Sequence, residues 1–308
     1  MMQEIPSFHH IHLNSTNPDA AIAFYLRQFK NTEKTQWGGL PALKSFNDVL
    51  IIFNTVSTPA PTAPQSAIWH FGWYVTDVRA RMQAFKNRSE VTLLPLYTGE
   101  AEEAVFINTD TYPGVDGVLG LTQAQLQDAR QKGVQPKGGP GFAYMQGPDG
   151  AIVEYMGDFS VERFNHIHLY QEDPFCAQLW YQRHLNAPVM PGRVSPTPMT
   201  EKNCHVERGA SRTWPALNRD GMFRSPRAAV LFGDVALTWY PPQDDQPLVS
   251  SRGQLYDHFG LGVKDLTGWA KKLKNEGVHF LSDIEVINGI RSLMIEGPSR
   301  EAIELVEV

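Results

Sequence analysis

The chain of 308 residues is long enough for one large or two ordinary domains with buried cores. Apolar residues make up 42% and charged residues 19%, an ordinary balance for a globular protein. The net charge of −6, without any Lys/Arg-rich block, argues against nucleic acid or an anionic membrane as partner, and no apolar run is long enough to span a bilayer.

Taken in order, the chain opens with "FHHIHLNS", an alternating strand-like run that carries His9, His10 and His12. The start lacks the basic and apolar regions of a secretory signal. A helix is expected over 18–29, entered through Asn17 with Pro18 and Asp19 in its first turn. "VLIIFN" (49–54) and "WHFGWYV" (69–75) read as strands, and 76–86 as a helix with Thr76 as a plausible cap. Residues 95–140 break the rhythm with an acidic patch, a Gly/Pro-rich region and a helical "LTQAQLQDARQKG". "GFAYMQ" (141–146) and "AIVEYM" (151–156) are β-type. Strand-like "FNHIHL" follows at 164–169, then a second irregular stretch at 189–227, rich in Pro, Gly and Arg. Strands are expected at 228–233, 235–240, 257–263, 292–297 and 302–308, with a helix over 265–276 capped by Asp265. Long irregular insertions in a compact domain are usually lids or disordered, and the lid reading is favoured here. Cys176 and Cys204 form neither a metal-ligand spacing nor a disulfide framework, so a reducing cytoplasm is the expected location.

The chain repeats itself. Residues 8–29 lie over 164–185 without a gap, so that His10 meets His166, His12 meets His168 and Tyr25 meets Tyr181. "WHFGWYVTDV" (69–78) lies over "DHFGLGVKDL" (257–266), and "GPDGAIVEYM" (147–156) over "GPSREAIELV" (297–306), pairing His70 with His258 and Glu154 with Glu304. Three blocks in the same order divide the chain into related halves, 1–158 and 159–308. A weaker repeat within each half gives a strand–helix–strand–strand–strand unit, four times over.

Side chains at i and i+2 of a strand share a face, so His10 and His12 point one way and His9 the other. One half then offers His10, His70 and Glu154, and the other His166, His258 and Glu304. Two imidazoles and a carboxylate are the ligand set of non-haem Fe(II) sites, and also suit Zn, Mn, Ni or Co. A single histidine on an apolar strand is more often a packed residue than a ligand; the recurrence of all three in order is what raises them above that. The register that makes His12 and His168 the ligands stays open. Trp69, Phe71 and Trp73 could line the site or simply pack the core.

The segments "HIHLNSTNPDAAIAFY", "HFGWYVTDV" and "GPDGAIVEY" resemble the vicinal-oxygen-chelate superfamily, which includes glyoxalase I, bleomycin- and fosfomycin-resistance proteins and type I extradiol dioxygenases. The resemblance covers nearly the whole chain outside the two insertions. It implies an α+β fold of four βαβββ modules in two pseudo-repeated halves, each a curled mixed sheet forming a cup with helices outside. It implies a divalent metal, Fe(II) favoured, held by His10, His70 and Glu154 and separately by His166, His258 and Glu304, and a small-molecule substrate; Trp69, Phe71 and Trp73, where they line the site, would favour an aromatic or apolar one. A homo-oligomer is compatible with it. Glyoxalase I uses a fourth ligand, a carboxylate late in the first module; "DVLIIFNTV" and "DVALTWYPP" carry none at their centres, which favours a three-ligand site. The extradiol pattern of Tyr, then a Pro-x-Gly turn, then Glu is matched by Tyr144, Pro148-Asp149-Gly150 and Glu154. The histidine preceding that tyrosine is missing, and His12 is the candidate substitute, making His12 and Tyr144 the proton-transfer pair. Met294 stands where Tyr144 stands, so the first half is expected to be catalytic. The functions implied are an extradiol-type dioxygenase, a glyoxalase-like isomerase, lyase or thiol transferase, or a protein that sequesters a small molecule.

Overall fold

The computed structural model describes residues 4–63, 65–98, 104–110, 123–135, 138–192, 197–206, 213–214, 223–224, 226–242 and 246–308. The first module is β1 (Ser7–Ser15), α1 (Pro18–Gln28), β2 (Thr32–Trp37), β3 (Leu40–Ser45) and β4 (Leu50–Thr55). The second begins with β5 (Ile68–Tyr74), α2 (Val78–Lys86) and β6 (Thr92–Leu94). Its insertion carries the ribbon β7 (Tyr97–Thr98) and β8 (Ala104–Val105) and the expected helix α3 (Gln123–Gln131) before β9 (Phe142–Gln146) and β10 (Ile152–Met156). The third is β11 (Arg163–Tyr170) and α4 (Pro174–Leu185), a second insertion with β12 (Thr213–Trp214) and β13 (Phe223–Arg224), then β14 (Ala228–Phe232) and β15 (Val235–Tyr240). The fourth is β16 (Tyr256–Val263), α5 (Leu266–Asn275), β17 (Glu285–Ile287), β18 (Ile290–Glu296) and β19 (Ala302–Glu307). Much of 95–140 and 189–227, on which the lid reading rests, lies outside the described residues.

Helix entry follows the cap chemistry. Asn17 Oδ1 accepts from Ala20 N at 3.0 Å, and Asp77 and Asp265 do the same for Ala80 and Gly268. Asp77, not Thr76, therefore caps α2. At α4 the cap position falls on Asp173, whose carboxylate is turned outward to accept from Val206 N at 2.8 Å. That contact holds the 201–206 loop against the first turn of α4, and Cys204 reaches Cys176 with a Cα–Cα separation of 4.9 Å. The two cysteines form a disulfide, contrary to expectation. Spacing alone could not reveal it, because the loop and the helix meet only through tertiary contacts. No helix among the described residues is long and apolar enough to cross a membrane.

The larger correction concerns pairing. The halves 1–158 and 159–308 do not each close a sheet. One mixed sheet runs β17-β18-β19-β16-β1-β4-β3-β2, joining the fourth module to the first; the other runs β14-β15-β11-β5-β10-β9-β6, joining the third to the second. The seams are antiparallel, β1 on β16 and β11 on β5. The two sheets share one apolar core, in which Phe8, Phe71, Phe164 and Phe259 stack with centroids 5.4–6.0 Å apart. Phe71 and Trp73 are fully buried in this core and do not line a cup.

Glu301 lies in the turn before β19, fully buried. It accepts from Tyr181 Oη and Ser299 N, both at 2.7 Å. Burial outweighs these donors and, helped by nearby Glu296, pushes its carboxyl up to about 7. The unfolded chain releases this proton near 4.5, so the folded state holds more protons between those values, and stability falls as pH rises through that window. Glu301→Gln reproduces the neutral form. The variant should match wild type in thermal melts near pH 5 and exceed it near pH 8 by up to about 3 kcal/mol. Equal melting curves at both pH values would count against a buried, proton-holding Glu301.

Candidate metal centres

Each seam carries two bulges that aim its polar residues. His10 lies opposite Gly260 and His12 opposite His258, with His9 and Asp257 as the extra residues. In the other seam His166 lies opposite Gly72 and His168 opposite His70, with Asn165 and Trp69 as the extras. A Cβ at Gly72 would overlap the His166 ring, and one at Gly260 the His10 ring. The glycine of each "HFG" is thus the hole that receives an imidazole from the facing strand.

In the sheet of the second and third modules, four groups converge on one carboxylate oxygen. From Glu154 Oε2, His70 Nε2 lies at 2.9 Å, Tyr144 Oη at 3.0 Å, and His166 Nε2 and His168 Nδ1 at 3.5 Å. Tyr144 donates to that oxygen and is fixed opposite it by the β9–β10 pairing. Glu154, His70 and His166 are buried. Burial lowers the His70 imidazole to about 4 and holds His168 well below its usual range. Burial alone would raise Glu154, but the imidazoles around it, His166 foremost, hold it well below the carboxylate range. Tyr144 is pushed well above the usual phenol value by burial and by Glu154.

The sheet of the first and fourth modules repeats the frame. His10 Nε2 and His258 Nε2 lie 3.2 and 3.6 Å from Glu304 Oε2, and His12 Nδ1 is 3.2 Å from His258 Nε2. Its surroundings differ. The bulge residue Asp257 meets His258 Nδ1 at 2.6 Å, which orients the ring and raises its pKa despite burial. His9, expected on the opposite face, is kept beside His10 by the bulge, with Nδ1 atoms 2.8 Å apart. Trp37 packs against both rings at 5.2 Å. Met294 lies opposite Glu304 where Tyr144 lies opposite Glu154.

All six expected ligands therefore sit in two clusters, but grouped across the halves: His70, Glu154 and His166 in one, His10, His258 and Glu304 in the other. His12 lies with His10 and His258, and His168 with His70, Glu154 and His166, so both ligand registers fall within the same two clusters. His12 and Tyr144 fall in different clusters, so they are not a proton-transfer pair; the histidine beside Tyr144's carboxylate is His168. Trp69 lies edge-on to His70 at 4.2 Å, but it faces a neighbouring cavity with Tyr170 and Tyr256 rather than the one lined by Glu154, His166 and His168.

The donor sets suit a divalent cation. The nitrogen and carboxylate atoms of His70, Glu154, His166 and His168 lie within 4.8 Å of one another, as do the nitrogens of His10, His12 and His258. His166 Nε2, His168 Nδ1 and His10 Nε2 are buried without a hydrogen bond. A proton can bridge one imidazole to Glu154 but not three, whereas imidazole nitrogen and carboxylate oxygen are ordinary ligands of Zn, Fe, Mn, Ni or Co. Gly72→Ala should therefore displace His166 and abolish metal uptake at one centre while leaving the other, and Gly260→Ala should do the converse. Elemental analysis of the two purified variants checks this; unchanged metal content in both would remove the glycines from the account.

No family model matches the chain, and no curated protein matches it by sequence. Solved structures do. Glyoxalase I from Zea mays superposes with a TM-score of 0.61 at 13% identity, over 98% of this chain and 92% of that one. A putative dioxygenase from Bacillus subtilis gives 0.54 at 12% identity, over 99% and 86%. These likenesses concern the backbone arrangement, and with the strand order above they agree on one architecture: the chain has the vicinal-oxygen-chelate fold, with its modules paired first to fourth and second to third.

Proposed function

We propose that the centre of His70, Glu154 and His166 is the active site of a metal-dependent enzyme that takes a small substrate through two adjacent oxygens, and that its chemistry is extradiol-type oxygenation at Fe(II). The observation that carries this reading is the convergence of His70, His166, His168 and Tyr144 on Glu154 Oε2. Two histidines and a carboxylate would hold the metal, which supplies Lewis-acid chemistry and, as iron, redox chemistry with dioxygen.

The chain's own groups then have separable tasks. The phenol of Tyr144, kept protonated by its burial, can donate to negative charge developing on a substrate oxygen. His168 Nδ1, buried without a hydrogen bond, is placed to accept the proton a chelating hydroxyl gives up. Tyr74, Phe142 and Tyr240 line the cavity beside them, which suits a flat or apolar substrate body, while Trp69 and Tyr170 back the histidines from the neighbouring pocket. His10, His258 and Glu304 would hold a second metal, and the thioether of Met294 offers no proton there.

A second reading has its own support. His168 adds a fourth donor to the cluster, and four protein ligands with Zn, Mn or Ni would suit a glyoxalase-like isomerase or lyase. Metal content and oxygen dependence separate the two. Protein loaded anaerobically with Fe(II) should open a catechol ring with matched oxygen uptake. Tyr144→Phe should lower kcat by about 100-fold or more with KM little changed. Turnover of a hemithioacetal without oxygen uptake, supported by Zn or Ni but not iron, would replace the oxygenase reading with the second.

A further inference from the structure

We infer that Arg227 reads a negatively charged group on the substrate, so that this centre takes small organic anions whose charge is separate from their two chelating oxygens. The inference rests on the active-site reading above and narrows it. Arg227 lies just before β14 and lines a cavity of about 130 Å³ together with Glu154, His166, His168, Tyr144 and Tyr240.

The guanidinium is partly buried, and its hydrogen-bond partner is the neutral hydroxyl of Tyr240 at 3.4 Å. That sets it apart from the other half-buried arginines among the described residues. Arg79 pairs with Asp110, Arg81 with Glu162, Arg88 with Glu90, Arg163 with Asp234 and Arg291 with Glu307. Among the described residues, Arg27, Arg130 and Arg300 also have no carboxylate partner, and they are exposed, where water solvates the charge. Withdrawing a guanidinium from water without a counter-ion is costly unless a ligand supplies the charge.

The fork of the guanidinium suits a planar carboxylate better than a point charge would. The cavity's other walls include the rings of Tyr74 and Phe142. The ligand this describes is a small, flat acid: adjacent oxygens at the histidines, a ring or apolar body between the aromatic walls, and a carboxylate at Arg227. In the other cluster the arginine at hand, Arg252, stands 3.1 Å from His258 Nδ1 and is already paired with Asp257, so the same selectivity is not expected there.

The test is equilibrium binding of 3,4-dihydroxybenzoate and of catechol to the Co(II)-loaded protein, by calorimetry and by the cobalt absorption bands. Wild type should bind dihydroxybenzoate about tenfold or more tightly than catechol, the scale of a charge-assisted hydrogen-bonded pair. Arg227→Gln should abolish that preference by weakening dihydroxybenzoate far more than catechol, and Arg227→Lys should keep part of it. No preference in wild type, or an equal loss of both ligands in Arg227→Gln, would overturn the role of Arg227. Failure of both probes to bind wild type would instead overturn the chelating reading, and this inference with it.

Discussion

Everything in this molecule depends on an imidazole fitting into a hole in the strand beside it. His10 occupies the space over Gly260, and His166 the space over Gly72. Only glycine leaves that space. The fit fixes the register of each antiparallel seam. The register sets His12 opposite His258 and His168 opposite His70, and the parallel neighbours β19 and β10 bring in Glu304 and Glu154. On the reverse side of the same strands, Phe8, Phe71, Phe164 and Phe259 lock the two sheets together. One short motif therefore does two tasks: its polar face gathers the candidate metal donors and its apolar face makes the core.

The two clusters share this frame and differ in what surrounds it. The bulge residues decide much of the difference. In one seam they are His9 and Asp257, which meet the ring nitrogens of His10 and His258 and orient them as closed, well-supported donors. In the other they are Asn165 and Trp69, which leave His70 Nδ1 without a partner and put an aromatic surface beside the donors instead. Tyr144 against Met294 extends the same division, as does Arg227, without a carboxylate partner, against Arg252, paired with Asp257. One cluster has its imidazoles hydrogen-bonded to the bulge residues; the other has a cavity, a phenol and a guanidinium without a carboxylate partner.

Much of this was legible in the residues. The order His, His, Glu, repeated at matching positions, pointed to the six residues that the fold gathers into two clusters, because a set with a shared task recurs together while a packed histidine need not. Asn17 and Asp265 announced their helices through cap chemistry, and the replacement of Tyr144 by Met294 announced unequal sites. The grouping was not legible, and the reason is specific. Both "HFG" segments offer the same hole, so His10 fits Gly72 as well as it fits Gly260 on sequence grounds. Choosing between them is a matter of how the two sheets stack. The bulges were hidden for a related cause: alternation along a strand assumes an unbroken ladder, and the extra residue at His9 resets it. Arg227 lay in a stretch without periodicity, where nothing local links it to histidines sixty residues away. The disulfide likewise depends on a loop docked by Asp173, which composition does not encode.

The measurement that bears most directly on this account is the metal content of two double variants. His10→Ala/His258→Ala removes two donors from one cluster, and His10→Ala/His70→Ala removes one from each. With modules paired first to fourth and second to third, the former keeps the metal of the His70–Glu154–His166 centre and the latter loses metal from both. If each half held its own metal the pattern would be reversed: His10→Ala/His70→Ala would keep the metal of the second half, and His10→Ala/His258→Ala would lose both.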